Sequence, residues 1–141
     1  EHRIKFQQEL ARKTRGLPRV IDHRLDIFAK GLKPAHLKDE KPALLHGDLW
    51  SGNYFASHDQ VPYIFDPAVY FGLREADLAM TEMFGRQPKE FYSAYQEVFP
   101  IQPGYNKRKE IYNLYHLLNH YNLFGGSYLE QADQTVRSFL D

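Results

Sequence analysis

The chain has 141 residues, a formal net charge of zero and no cysteine. This length predicts one domain with a buried core, and the lack of cysteine excludes disulfides and thiolate metal sites. The neutral charge, with neither a bilayer-length apolar run nor a signal-peptide core in residues 1–20, predicts a cytoplasmic globular domain that binds no nucleic acid and no membrane.

The first third of the chain predicts two helices. Residues 2–14 are polar and carry a thin apolar stripe of Ile4, Phe6, Leu10 and Ala11. Residues 18–31 follow, with Pro18 at a plausible first helical position. Two proline-containing loops then lead to Ala43–Leu45, a short apolar run that is either a strand or an extended approach to the next loop.

The middle of the chain predicts one β-hairpin. Two short aromatic and β-branched runs, NYFAS and VPYIF, flank a polar turn around His58. Pro62 predicts that the second strand lies at an edge or begins at that residue. The hairpin ends at Asp66-Pro67, where the chain must change direction.

From Arg74 onward the sequence predicts helices, over residues 74–84, 88–99 and 106–124, and from Ser127 to Leu140. The second of these helices carries an aromatic stripe that predicts core packing, formed by Phe91, Tyr92, Tyr95 and Phe99. The predicted fold class is therefore α+β, predominantly helical, with a small central β-hairpin.

The stretch HGDLWSGN, residues 46–53, carries the strongest chemical signal. It places Asp48 and Asn53 five positions apart, and Asp66 follows after the hairpin. Phosphoryl transfer from ATP needs a carboxylate that orients and deprotonates the acceptor hydroxyl, and oxygen ligands for Mg²⁺. Asp48 is the candidate base, and Asn53 and Asp66 are the candidate Mg²⁺ ligands. Taken alone, the first two are better explained as a solvated loop acid or helix cap and a turn residue.

Four stretches together resemble the fructosamine/ketosamine kinase family, a branch of the aminoglycoside-phosphotransferase-like, protein-kinase-like small-molecule kinases. They are HGDLWSGN, FDPAVYFGLREADLAMTEMFG, FYSAYQEVFP and LYHLLNHYNLFGGSYL. The resemblance covers the chain from about Ala43 and, more weakly, the helices before it. It implies the C-terminal lobe of a protein-kinase-like fold, with ATP and Mg²⁺ as cofactors. The implied reaction is phosphorylation of a sugar hydroxyl on a small-molecule or protein-bound ketosamine.

The resemblance also implies residue roles. Asp48 matches the catalytic-loop aspartate, and Asn53 and Asp66 match the metal-binding asparagine and aspartate. Asp77 matches an aspartate that braces the catalytic loop, and His46 is expected to shape that loop through backbone hydrogen bonds.

Three further residues are candidate substrate contacts: Trp50, Asn119 and His120. Trp50 is equally compatible with a core anchor. His116 and His120 have the i, i+4 spacing of a zinc pair, although a polar stripe facing a cleft or a buried network explains that spacing better. Arg74 and Glu75 are either a surface ion pair or a structural brace.

One departure from the family concerns the nucleotide-binding lobe. Only 45 residues precede His46, and they predict helices and a loop, with Gly16 and Gly31 standing singly. Residues 1–141 are therefore expected to be the C-terminal lobe alone, inefficient as a kinase by itself, with possible self-association through the surface that the other lobe would cover.

Other functions stay open. The first alternative is a related kinase of the aminoglycoside, choline or homoserine type, and the second is a non-enzymatic binding or assembly module. A metal hydrolase is the most distant alternative, and it would use His46, His58, His116 and His120.

Overall fold

The computed structural model of the protein describes residues 2–32 and 41–140. Within these ranges there are six α-helices: α1 (His2–Thr14), α2 (Arg19–Gly31), α3 (Glu75–Met83), α4 (Lys89–Val98), α5 (Tyr105–Phe124) and α6 (Tyr128–Leu140). Four short strands lie between α2 and α3: β1 (Ala43–Leu45), β2 (Tyr54–Ala56), β3 (Pro62–Ile64) and β4 (Tyr70–Gly72). The prediction of a predominantly helical α+β fold is confirmed.

Helix boundaries follow the proline and glycine signals to within about one residue. Pro18 and Pro88 are the residues before α2 and α4, with ψ of 133° and 150°. These extended ψ angles put each proline at the N-cap, one position earlier than the first helical position expected for Pro18. Gly16, with φ of +77°, follows α1.

The predicted hairpin is the antiparallel pair β2–β3, with Phe55 opposite Tyr63. Their rings stack with centroids 5.2 Å apart. Pro62 is the first residue of β3, as the sequence indicates for a residue without an N–H group. The turn closes through a 2.9 Å bond from Gln60 N to the carbonyl of Ser57.

A second antiparallel pair, β1–β4, was not predicted as a pair. Ala43 lies opposite Gly72 and Leu45 opposite Tyr70. The strand option for Ala43–Leu45 is therefore correct, and β4 lies in a segment that the sequence left unassigned. This pairing brings the chain after Asp66 alongside the chain that enters HGDLWSGN.

The described residues divide into two compact units. One contains residues 2–32 and 113–140, and its buried core includes Leu25, Phe28, Leu114, Leu118 and Val136. The other contains residues 41–112, and its buried core includes Leu45, Leu78, Met80, Tyr92 and Ile111. In the described parts of the chain, no helix combines the length and apolarity needed to cross a bilayer.

Two predicted apolar stripes are partly wrong. Phe6 is exposed, because it lies off the buried face of α1, whose residues at helical spacing are Ile4, Gln7, Gln8 and Ala11. Gln8 is satisfied there by the carboxylates of Asp22 and Asp26, at 2.7 and 3.0 Å. On α4 the predicted core stripe buries Tyr92, whereas Phe91 and Phe99 are exposed.

Candidate functional site

Residues 46–53, between β1 and β2, form a loop that we call the HGD loop. Its first two N–H groups donate to the carboxylate of Asp77, in the first turn of α3. The distances are 2.7 Å from His46 N to Oδ2 and 2.9 Å from Gly47 N to Oδ1. Bonds to an ionised acceptor are about twice as strong as neutral ones, so α3 fixes the start of the loop.

The start of the loop also approaches the chain around Ala68 very closely. Ala68 N donates to the carbonyl of His46 at 2.8 Å. Gly47 has φ of +82°, and a Cβ atom there would lie 2.1 Å from the carbonyl oxygen of Ala68. Both the left-handed backbone and the lack of space require glycine at this position.

Asp48 and Asn53 are in direct contact. The Asn53 amide nitrogen, Nδ2, donates to Oδ2 and to the carbonyl of Asp48, both at 2.9 Å. A 3₁₀ turn over Ser51–Asn53 closes the loop, with Asn53 N donating to the carbonyl of Trp50 at 2.9 Å. Oδ2 and the carbonyl oxygen of Asp48 can only accept, so Nδ2 of the buried Asn53 must face them. The Asn53 amide oxygen, Oδ1, is thereby directed away from Asp48.

The hairpin returns the chain to the HGD loop just before Asp66. Phe65 N donates to the carbonyl of Asn53 at 3.0 Å, and the carbonyl of Phe65 lies 2.9 Å from Nε2 of His46. A carbonyl only accepts, so Nε2 carries the proton in that bond, and Nδ1 can accept from Asp48 N at 3.4 Å. His46 thus links the segment before Asp66 to the peptide of Asp48.

Asp66 itself has an unusual backbone. It is exposed, and its φ is +52° although it precedes Pro67. Aspartate tolerates the left-handed region better than most residues, but a residue before proline favours extended conformations. Strain of this kind concentrates at functional sites, where the surrounding bonds maintain it.

The indole of Trp50 lies in the unit of residues 41–112 and contacts two neighbours. Its ring meets Phe84 edge-on at 6.2 Å, and it covers Gly52. Trp50 is 37% exposed, so it is neither a buried core anchor nor a free surface side chain.

Asn119 and His120, the other predicted substrate contacts, belong to the unit of residues 2–32 and 113–140. Asn119 Oδ1 accepts from the side chain of Gln7 at 3.2 Å, and His120 Nδ1 lies 2.8 Å from the carbonyl of His116. Burial lowers the pKa of His116 to about 4, and the nearby Arg3 and His120 act in the same direction. No cluster of three or more His, Asp or Glu side chains that could hold a metal occurs within residues 2–32 and 41–140.

Sequence reasoning missed how strongly the start of α3 is held. Glu75 is 1% exposed and forms a bidentate pair with Arg108, both bonds being 2.7 Å. Arg74 donates to the carbonyls of Phe99 and Pro100 and lies 4.0 Å from the Phe99 ring centroid. The interpretation of Arg74 and Glu75 as a surface ion pair is wrong, and each side chain instead braces the start of α3 through the contacts above. The motif READLAM was the only sequence signal of these contacts.

The model of the fructosamine kinase family matches residues 1–141, the full length of the chain. The chain belongs to the fructosamine kinase family. The resemblance stated from its motifs is thereby confirmed.

Relatives within this family are similar over nearly the whole chain. The chain is 51% identical to the "Probable ketoamine kinase" of Vibrio parahaemolyticus, covering 99% of this chain and 47% of that protein. It is 42% identical to the chloroplastic protein-ribulosamine 3-kinase of Oryza sativa subsp. indica, and that match covers 99% of this chain and 41% of the rice protein. The chain thus spans about half the length of the curated relatives it matches.

Crystal structures in the same family share the fold. One, from Thermobifida fusca and assigned provisionally as a fructosamine-3-kinase, is similar with a TM-score of 0.88 and 34% identity. The match covers 98% of this chain and 48% of that chain. A second, from Haemophilus somnus with the same provisional assignment, is similar with a TM-score of 0.77 and 30% identity. That match covers 100% of this chain and 48% of the other chain.

Proposed function

We propose that this chain is the C-terminal lobe of a protein-kinase-like fold, in an ATP-dependent kinase that phosphorylates a sugar hydroxyl on a glycated amine. One observation supports the proposal: the Asn53 amide binds Asp48, and Phe65, the residue before Asp66, donates its N–H to the carbonyl of Asn53. A base and two oxygen ligands on one rim are the parts that phosphoryl transfer requires.

In this proposal Asp48 is the general base. Asn53 holds Oδ2 of the carboxylate, and we assign Oδ1 to the acceptor hydroxyl. Asp48 takes the hydroxyl proton while the acceptor oxygen forms its bond to the γ-phosphorus. The bond from that phosphorus to the β–γ bridging oxygen breaks, and ADP leaves.

The donor set fits Mg²⁺. Asn53 offers its amide oxygen because the side chain donates both of its hydrogen bonds to Asp48 through Nδ2, and Asp66 offers an exposed carboxylate. Mg²⁺ prefers such oxygen ligands and keeps several waters, so two protein ligands suffice beside phosphate oxygens. When bound, the ion neutralises charge on the phosphates. Asp77 and His46 hold the loop that carries Asp48 and Asn53 through their hydrogen bonds to its backbone and to the Phe65 carbonyl.

An exposed aromatic face lies next to these ligands. Phe55 stacks on Tyr63 and meets Phe65 edge-on at 5.9 Å, and the three residues are 45–52% exposed. We propose that the rest of the kinase covers this face, and that the chain alone self-associates through it. Light scattering on the chain, compared with a Phe55→Ser/Tyr63→Ser variant, tests this: a monomer in both would contradict it.

We place the nucleotide-binding lobe outside these 141 residues. The chain spans about half the length of its relatives. The motifs that carry the proposed base and metal ligands, HGDLWSGN and FDPAVYFGLREADLAMTEMFG, lie in residues 46–85. The chain alone is therefore expected to have little kinase activity, whereas the full-length protein is expected to be active. Normal turnover of a ketosamine by the isolated 141 residues would contradict this division.

The acceptor is proposed to be a ketosamine, and Trp50 is proposed to contact it, whereas the substrate roles of Asn119 and His120 stay predictions from the sequence. The names of two relatives, a ketoamine kinase and a ribulosamine kinase, support a ketosamine over aminoglycoside, choline or homoserine. The test is ADP formation by the full-length protein with each acceptor, with the phosphorylated product identified by mass. Turnover of a ketosamine at least about tenfold above the others is expected, and preference for another acceptor would overturn the assignment. A cytoplasmic location stays a prediction, because the rice relative is named as chloroplastic.

A further inference from the structure

The indole of Trp50 occupies the space that a side chain on Gly52 would need. A Cβ atom built on Gly52 would lie 2.3 Å from both Cη2 and Cζ2 of Trp50, and 2.8 Å from Cε2. Such distances are far below van der Waals contact, so the ring and a side chain at position 52 cannot occupy these places together.

The backbone of Gly52 gives no other reason for glycine. Its φ is not in the left-handed region that Gly16 and Gly47 occupy. The sign of φ therefore permits alanine here, and the three atoms that its Cβ would meet first all belong to the indole.

Phe84 fixes the ring from another direction. It follows α3 directly and meets the indole edge-on, with an interplanar angle of 78°. The same helix holds the start of the HGD loop through Asp77. Consequently α3 supports the loop at two places, and the position of Trp50 also affects Asn53, whose N–H donates to the Trp50 carbonyl.

We propose that Gly52 and Phe84 are positioning residues that set the tilt of the Trp50 indole, and through it the acceptor specificity of the kinase. This inference rests on the proposed function, because it takes the exposed part of Trp50 as a wall against the sugar. A ring held on two sides presents one fixed surface, and a small misplacement of such a surface can change rates by about 100-fold.

The test uses the full-length protein and the Gly52→Ala variant. Gly31→Ala is the matched control, because a Cβ on Gly31 meets nothing within 4 Å and its φ is not positive. We expect Gly52→Ala to raise the KM for the ketosamine about tenfold or more, with the KM for ATP and the melting temperature near wild type. Phe84→Leu should shift the same KM in the same direction, and Gly31→Ala should shift neither KM.

A double-mutant cycle isolates the indole. In a Trp50→Ala background, Gly52→Ala should change the ketosamine KM by less than about twofold, because no ring remains to be displaced. Trp50 emission, obtained by subtracting the Trp50→Phe spectrum, should shift to longer wavelength in Gly52→Ala as the ring moves into water.

Three results, with a wild type that turns ketosamine over, would overturn the inference alone. One is an equal effect of Gly52→Ala with and without the indole, and another is a parallel rise in both KM values with a lower melting temperature. A third is an unchanged ketosamine KM in Gly52→Ala while the wild type turns ketosamine over, which leaves the proposed function intact. A wild-type protein that phosphorylates no ketosamine overturns the proposed function, and this inference with it.

Discussion

Replacing Asp77 by asparagine tests whether α3 holds the HGD loop in place. The Asp77 carboxylate accepts from His46 N at 2.7 Å and from Gly47 N at 2.9 Å, with one oxygen for each bond. Asparagine has the same shape but only one oxygen. Its amide nitrogen would face a backbone N–H group, which leaves two donors opposed and one N–H unsatisfied.

The cost follows from the two bonds. A hydrogen bond to a charged group contributes about 1.5–3 kcal/mol, and an unsatisfied buried donor costs about 1–3 kcal/mol. We therefore expect Asp77→Asn to lower the free energy of unfolding by about 2–4 kcal/mol and the melting temperature by roughly 5–10 °C. Because the loop carries Asp48, kcat should fall by about 100-fold.

Thermal unfolding and steady-state kinetics of the full-length protein measure both effects. Asp59→Asn is the matched control, since the Asp59 side chain is 92% exposed in the hairpin turn. Such a surface change should stay within about 0.5 kcal/mol. If Asp77→Asn and Asp59→Asn gave the same melting temperature and the same kcat, the brace assigned to Asp77 would be wrong.

Three further predictions concern backbone, charge and pH. Gly47→Ala should unfold at a much lower temperature than Gly16→Ala. Both glycines have positive φ, but only a Cβ at position 47 would also lie 2.1 Å from a neighbouring carbonyl oxygen. Equal melting temperatures of the two variants would contradict the close approach. Arg108→Ala should cost about 3–5 kcal/mol in urea unfolding, since it leaves the buried Glu75 carboxylate unpaired, and a loss below about 1 kcal/mol would show that water replaces the pair. Burial lowers the pKa of His116 from its ordinary value of 6.5 to about 4, so the unfolded state binds the proton first as pH falls. The free energy of unfolding should therefore drop by about 2 kcal/mol from pH 7.5 to 5 in the wild type. The His116→Gln variant should lose that part of the pH dependence.

The sequence predicted the elements that have local signals. Prolines and glycines bound the helices, and the turn between two aromatic runs indicated the β2–β3 hairpin. The β1–β4 pair was missed because each strand has three residues and Leu45 pairs with Tyr70 across a long stretch of chain. The face of α1 was misread because Gln7 and Gln8 occupy core positions, where distant side chains satisfy them.

The candidate site was predicted from a motif, and the supporting roles of Asp77 and His46 were expected beside it, whereas the Glu75–Arg108 pair was not. Five-residue spacing suffices to place Asp48 beside Asn53 on a tight loop. In contrast, Asp77 lies 31 positions from His46, and Glu75 lies 33 positions from Arg108. Contacts at such separations depend on how the helices pack, which no short pattern in the sequence encodes.

The assignment of Asp48 as the base that activates a ketosamine hydroxyl is tested most directly by Asp48→Asn in the full-length protein. We predict that kcat with a ketosamine falls by about 10²–10⁴-fold, the usual contribution of a general base, while the Kd for ATP changes by less than about twofold. Turnover close to that of the wild type, with ATP binding intact, would contradict the account.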